Sequence, residues 1–350
     1  MAAYPSDRMC WPGVAMTPQL WRRMQAADSH VAPDFQRHSR SIFRAVQLEH
    51  VFRALVTVAA ISVFVLVLAM IYELTRQAWP AIDRFGVRFL WSTDWNPPKE
   101  RFGALPFIAG RLVTSMLALV FGTVVGVGAA LFLVELAPAW IRVPVGYMVE
   151  LLAAIPSVVY GLWGVFMLGP WIQKTAGPFI LDYFSWAPFV RGPALSVGIL
   201  AAVMILTIMI LPTIVAISRD VITAVPRSQR EGILALGATR WEMIRIAVLP
   251  YARSGVLGAA ILGLARAIGE TLAVAMVIGN STNVPDSIFS PAYTMASVIA
   301  NQFREVENDM HRAALLYIGL LLLVITLIVN ALARVLVWRV TKGQITTVIE

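Results

Sequence analysis

Two charged residues stand inside an otherwise apolar stretch, LARAIGETLAVAMVIGN at residues 264–280. Arg266 and Glu270 are spaced i, i+4, which predicts that they share one helix face and can pair. A guanidinium matches an oxyanion with up to two parallel hydrogen bonds. Two interpretations follow. Arg266, held in place by Glu270 and followed by Thr271, contacts a passing oxyanion, or Arg266 and Glu270 form a buried ion pair that serves packing alone.

The composition shows which elements must position this pair. Of the 350 residues, 59% are hydrophobic and 14% charged, and such a chain is a membrane protein. A membrane helix needs ~20 apolar residues, and six windows of that length are present. They lie at about 54–75, 112–134, 148–170, 194–217, 255–279 and 314–337. An arginine at the centre of a membrane helix costs ~2.5–3.5 kcal/mol on insertion scales, so Arg266 requires a partner or a water-filled path.

The sequence therefore predicts an all-α integral membrane protein with six transmembrane helices. Residues 1–50 form an N-terminal arm, 51–340 the six-span domain with a loop at 219–253, and 341–350 a tail. Lys and Arg are more frequent on segments that would lie inside if both termini are cytoplasmic, although the 76–111 segment holds six of them outside. The first span is too long for a cleaved signal peptide.

Several functional classes are disfavoured by the residues present. The net charge of +8 is spread over many loops, which argues against nucleic-acid binding. The single cysteine, Cys10, excludes an intramolecular disulfide, and the four histidines lie outside the spans, so no intramembrane histidine metal site is expected. None of the three lysines stands in a Gly-Lys-Ser/Thr phosphate loop, so if ATP drives transport, another subunit must bind the nucleotide. We expect no catalytic site, metal or cofactor in this chain.

The loop between spans four and five predicts a helical hairpin. Two capping boxes, Ser228 with Glu231 and Thr239 with Glu242, would start its two helices. Gly237 would end the first helix in a left-handed conformation. The second would stop just before Pro250. So short a helix needs a surface to pack on, and either the membrane domain itself or a cleft on another protein would provide it.

This loop resembles the signature of permease subunits in bacterial ABC importers. Glu231, Gly237 and Leu249-Pro250 match its glutamate, turn glycine and terminal proline, whereas Gly232, Ile233 and Ala247 depart from it. The resemblance implies that the hairpin carries a coupling helix that binds an ATP-binding subunit. We therefore assign the coupling role to six residues of the hairpin: Ser228, Glu231, Gly237, Thr239, Glu242 and Pro250.

Three stretches are similar to the C-type permease subunit of the phosphate-specific ABC transporter: NPPKERFGALPFIAGRLVTS, ELLAAIPSVVYGLWGVF and GLARAIGETLAVAMVIGN. The resemblance implies phosphate passage at Arg266 and Glu270. It also implies an A-type permease partner, two ATP-binding subunits that hold ATP and Mg, and an extracytoplasmic phosphate-binding protein. The chain would then be a multi-pass protein of the bacterial plasma membrane without enzymatic activity of its own.

Other features leave alternatives open. Pro156 and Pro212 would interrupt spans three and four, and a kink near Ser157 and Tyr160 would line the pathway or only adjust packing. Small residues recur every four positions from Gly255 to Ala267, which predicts that span five packs inside the bundle. A sulfate or molybdate permease, a secondary anion transporter that works without ATP, and a signalling scaffold are the competing functions.

Overall fold

A computed structural model describes the backbone of residues 18–345 and the side chains of residues 49–339. Cys10 lies outside the described residues. No strand occurs within residues 18–345, and the chain divides into two units at Met70 and Ile71. The helices are α1 Pro18–Phe85, α2 Leu105–Leu131, α3 Ala139–Ala154, α4 Ser157–Trp163, α5 Gly169–Trp171, α6 Gly177–Phe184, α7 Ile199–Thr223, α8 Arg227–Ala235, α9 Arg240–Met243, α10 Leu249–Gly269, α11 Leu272–Val277, α12 Met295–Gln302 and α13 Asp309–Ile345.

Among the described residues, five helical segments are long and apolar enough to cross a membrane, and a bent pair of helices makes six if the pair is counted as one span. The five are Glu49–Leu90, Leu105–Leu136, Ile199–Thr223, Arg240–Gly269 and Asp309–Arg339. The prediction of an all-helical, multi-span membrane protein is confirmed. In the first unit, the apolar side chains of residues 51–70 are exposed, as expected of a helix surface that contacts lipid.

Span three is not the single helix that the sequence predicts over 148–170. The chain bends by 96° between Ala139–Ala154 and Ser157–Phe184. Pro156 causes the break, because it supplies no backbone N–H and disfavours a helical conformation at Ile155, which is extended at ψ 129°. The prediction for Pro212 is wrong, since α7 continues through it without interruption.

Helix α7 is the centre of the second unit, residues 71–350, with α2, α3 and α10 packed against it. Its buried side chains include Ile205, Ile210 and Ile214. The small residues of α10 allow the close approach: a Cβ on Gly263 would lie 2.9 Å from Ile214, and one on Gly255 would lie 2.4 Å from Val221. The small-residue pattern therefore packs inside the bundle, as predicted.

The hairpin between α7 and α10 begins with α8, and its first capping box is absent. Helix α8 begins at Arg227 behind Pro226, and Ser228 lies inside its first turn without a side-chain capping bond. A proline that precedes the first helical turn fixes the start of the helix one residue earlier than the predicted serine cap. Gly237 adopts φ +84° after the helix, as predicted, which is the left-handed conformation that glycine reaches without a steric cost.

The second capping box is confirmed, but the predicted end of its helix is wrong. The Glu242 carboxylate accepts the Thr239 N–H at 2.7 Å, and the Thr239 hydroxyl accepts the Glu242 N–H at 3.3 Å. Helix α9 passes through a π-helical turn at Ile244–Val248 directly into α10, and Pro250 lies in the first turn of α10. The wider turn and the position at a helix start both accommodate a residue without an N–H.

Candidate functional site

Span five is broken at the charged pair that the sequence analysis singled out. Helix α10 ends at Gly269, Glu270 has an extended backbone with ψ 134°, and α11 begins only at Leu272. Thr271 lies half-buried in the gap. Because Glu270 is outside the helix, it does not share a helix face with Arg266, and no ion pair between them occurs among residues 49–339. The predicted i, i+4 pair is therefore wrong.

Glu270 instead stabilises the break through its side-chain carboxylate and its backbone carbonyl. Its side-chain carboxylate accepts the backbone N–H of Ala273 at 3.1 Å, in the first turn of α11. Its backbone carbonyl accepts a hydrogen bond from Nη1 of Arg111 at 2.8 Å. A carboxylate at the start of a helix satisfies an N–H that has no partner within that helix. The residue thus holds the second half of the span against α2.

Arg111 is a buried charged residue that the sequence analysis did not single out. It lies on α2, is only 3% exposed, and its Nε has no hydrogen-bond partner among the described residues. Span two was expected to begin at residue 112, but α2 begins at Leu105, so Arg111 lies within the span. The signal was present, because this arginine belongs to the quoted stretch NPPKERFGALPFIAGRLVTS. A buried guanidinium in a membrane helix marks a functional site on the same grounds as Arg266.

Arg266 points its guanidinium toward α7 and α4. Its Nη1 donates one long hydrogen bond, 3.4 Å, to the Thr213 hydroxyl. Within the described part of the chain, no carboxylate lies within 4.0 Å of it. Most of its five N–H donors are consequently available to an acceptor from outside this chain.

The break in span three faces the break in span five. Helix α4, which begins at Ser157 after Pro156, packs on α11 so closely that a Cβ on Gly161 would lie 3.1 Å from the Cα of Ala273. The buried Tyr160 hydroxyl donates to the carbonyl of Leu152 at 2.8 Å and so connects the two sides of the bend. Irregular backbone within a membrane is tolerated only where it is buried in protein or lines a polar cavity.

We call the residues at and beside the two helix breaks the broken-helix site: Arg111, Tyr160, Thr213, Arg266, Glu270 and Thr271. It combines two guanidinium groups with one carboxylate, and the carboxylate is already engaged by a backbone N–H. Such a balance of charge favours an anion over a cation. No group of three His, Cys, Asp or Glu side chains that could hold a metal ion occurs within the described residues.

The hairpin presents a second surface. Leu236 and Trp241 are 86% and 66% exposed, and Glu231 is exposed beside them. Ser228, Ile233, Pro250 and five neighbours line an apolar groove of about 450 Å³. At the start of α9, the hydrogen bonds between Thr239 and Glu242 hold the pKa of the Glu242 carboxyl below its usual value. The exposed apolar side chains fit a surface that another protein covers.

A buried ion pair fixes this hairpin to the membrane domain. Nη2 of Arg230 on α8 lies 2.9 Å from the carboxylate of Glu135, and the two side chains are only 16% and 8% exposed. The same guanidinium donates to the carbonyls of Ile222 at 2.6 Å and Val225 at 2.7 Å. Glu135 follows α2 in the π-helical segment Phe132–Leu136. The sequence analysis did not single out either residue, since they are 95 positions apart.

Comparison with known proteins decides the family. The pattern of the family described as "Binding-protein-dependent transport system inner membrane component" matches residues 122–342. The chain belongs to this family. It is 43% identical over 301 residues to the phosphate transport system permease protein PstC of Pasteurella multocida, and the match covers 85% of this chain and 94% of that protein. A PstC of Mesorhizobium japonicum is 42% identical over 86% of this chain and 93% of its own length.

A solved structure supports the same fold. A bacterial alginate ABC transporter, crystallised with an alginate-bound periplasmic protein, has a chain that matches 82% of this one and 95% of its own length at a TM-score of 0.56. The sequence identity is 16%, so this likeness bears on the fold alone. The chain is thus a membrane component of a transport system, with the fold of an ABC importer permease.

Proposed function

We propose that this protein is a permease subunit of an ATP-driven inorganic phosphate importer. The observation that carries the proposal is the similarity of about 40% identity, over most of the chain, to proteins named as phosphate transport permeases. The broken-helix site supports it, since Arg266 and Arg111 offer guanidinium donors to an oxyanion where two membrane helices are interrupted. Arg266, Glu270 and Thr271 contact the passing anion, and Pro156, Ser157 and Tyr160 form the opposite wall.

The partners follow from the family and from the hairpin. A second, A-type permease subunit completes the translocation path, and an extracytoplasmic phosphate-binding protein delivers the substrate. Two ATP-binding subunits hold ATP and Mg and drive alternating access through the coupling hairpin, with Ser228, Glu231, Gly237, Thr239, Glu242 and Pro250 at or beside the contact. In this arrangement the hairpin and both termini lie in the cytoplasm of a bacterium, and the protein spans its plasma membrane.

Two other functions compete with this proposal. A permease for sulfate or molybdate would use the same guanidinium chemistry, because both are tetrahedral oxyanions. A secondary anion transporter would also retain the charged site, but it would have no use for an exposed apolar hairpin surface. Leu236 and Trp241 therefore favour an importer that binds a separate motor subunit.

The test is uptake of labelled phosphate at micromolar concentration in cells that lack the gene. They are complemented with the intact chain, with Arg266→Gln, or with the control Arg312→Gln, at matched membrane levels. Arg312 is exposed and outside the broken-helix site, so its loss changes the net charge equally without touching the path.

We expect the intact chain and the control to restore phosphate uptake and Arg266→Gln to restore little of it. Full uptake by Arg266→Gln would show that the arginine does not contact the substrate. If the intact chain restores sulfate or molybdate uptake and not phosphate uptake, the proposed substrate is wrong. If its uptake continues after the cellular ATP is depleted, the proposed energy source is wrong.

A further inference from the structure

A basic cavity that shares no residue with the broken-helix site lies in the segment that connects α1 to α2. Its volume is about 440 Å³, and three arginines line it: Arg84, Arg88 and Arg101. Its other walls are Ser92 and Asp94 and the aromatic rings of Phe85, Phe89 and Phe102. We call this cavity the loop pocket.

The loop pocket belongs to a fixed part of the fold. Phe89 and Phe102 are 1% and 2% exposed and belong to a core cluster with the start of α2 and with α13. The backbone carbonyl of Ser92 accepts the N–H of Leu105, the first residue of α2, at 3.2 Å. The buried aromatic residues therefore fix the backbone that carries the arginines, which are themselves exposed.

The charges in the pocket are only partly neutralised. Arg84 forms an ion pair with Glu100 and stacks on the ring of Phe85 at 5.5 Å. Arg88 and Arg101 have no carboxylate within 4.0 Å among residues 49–339, and no side-chain hydrogen bond is formed by either within that range. Asp94 is the carboxylate that opposes them in the pocket wall. One net positive charge and two open guanidinium groups remain.

The position of the pocket makes these charges unusual. The other end of α2, at Ala130 and Leu131, packs in the core of the coupling hairpin, so the pocket lies at the opposite end of a helix of 27 residues. Basic residues are normally concentrated on the cytoplasmic side of a membrane protein. Under the proposed topology the pocket is on the extracytoplasmic side of the membrane. Three arginines grouped there are explained by a ligand that they bind.

We propose that the loop pocket binds a phosphate group. Guanidinium groups bind phosphate oxygens bidentately, the Ser92 hydroxyl can donate a further hydrogen bond, and 440 Å³ accommodates a phosphate with its water. The phosphate belongs either to a free inorganic ion on its way to the permease or to the headgroup of an anionic phospholipid. The inference goes beyond the proposed function, since the pocket shares no residue with the broken-helix site.

The test uses the complete importer in lipid nanodiscs and the double variant Arg88→Gln/Arg101→Gln. The matched control is Arg304→Gln/Arg312→Gln, two exposed arginines that do not line the pocket. The first arm measures equilibrium binding of labelled inorganic phosphate in phosphatidylcholine nanodiscs, in an Arg266→Gln background that removes the proposed transport site. The second arm counts the phosphatidylglycerol molecules retained by each complex, by native mass spectrometry.

If the ligand is inorganic phosphate, the double variant binds it at least about tenfold more weakly than the control. The reason is that the loss of one charge-assisted hydrogen bond lowers the affinity about tenfold or more. If it is a lipid headgroup, the double variant retains at least one phosphatidylglycerol fewer. Equal binding of phosphate and equal retention of lipid by the two variants would overturn the proposal. Failure of the transport proposal appears separately, in the uptake assay.

Discussion

The ion pair between Arg230 and Glu135 predicts a large effect of a single change far from the broken-helix site. The side chains are 16% and 8% exposed, so both charges are almost withdrawn from water. Removal of one partner from a buried pair costs about 3–5 kcal/mol, because the other charge stays buried without compensation. Arg230→Met also removes the donors to the carbonyls of Ile222 and Val225.

The size of the effect can be stated as a change in melting temperature. The entropy of unfolding is about 2.1 cal/mol/K per residue, which gives about 0.7 kcal/mol/K for a chain of this length. Dividing a loss of 3–5 kcal/mol by this entropy lowers the apparent Tm by roughly 4–7 °C. The assay is tryptophan fluorescence of the purified importer on heating, with co-purification of the ATP-binding subunit as a second readout. We expect Arg230→Met to lower both.

Two further variants make this prediction specific. Arg219 pairs with Glu150 at 3.3 Å, but these side chains are 32% and 55% exposed, so Arg219→Met should cost no more than about 1 kcal/mol. The double variant Arg230→Met/Glu135→Leu removes both buried charges and should recover much of the stability that Arg230→Met loses. If Arg230→Met and Arg219→Met melt alike, the ion pair does not stabilise the hairpin and the reasoning is refuted.

Two predictions concern the remaining polar groups. Arg111→Gln should lower phosphate uptake at least about tenfold at an unchanged membrane level. The reason is that a charge-assisted hydrogen bond to the Glu270 carbonyl contributes about 1.5–3 kcal/mol. Normal uptake by the variant would show that Arg111 only fills space. The lowered pKa of Glu242 means that the hairpin cap is complete above the ordinary carboxyl pKa of 4.5 and is lost as pH falls through the folded value. Glu242→Gln should therefore remove the weakening of ATP-binding subunit retention that develops as pH falls below 4.5. An identical pH profile in the variant would contradict this role.

The comparison of sequence and structure shows which signals are local. The multi-span helical organisation, Gly237 and the capping box at Thr239 were predicted correctly because each depends on residues close together in the chain. The uninterrupted course of spans three and five was not. The pairing of Arg266 with Glu270 was wrong because helix periodicity cannot reveal that α10 stops at Gly269. No proline marks that break. It is stabilised by the long-range hydrogen bond from Arg111, 159 positions away, which no local pattern contains.

Helix α2 connects the two places where long-range contacts decide the structure. Near its start, Arg111 holds the broken end of span five through the Glu270 carbonyl, and just beyond its end Glu135 holds the hairpin through Arg230. These two residues are 24 positions apart, or about 36 Å at the rise of an α-helix. The same helical segment, Leu105–Leu136, therefore holds both the broken end of span five and the hairpin, each through a contact that is remote in sequence. These contacts, rather than the expected pair on α10, fix the two regions to one span.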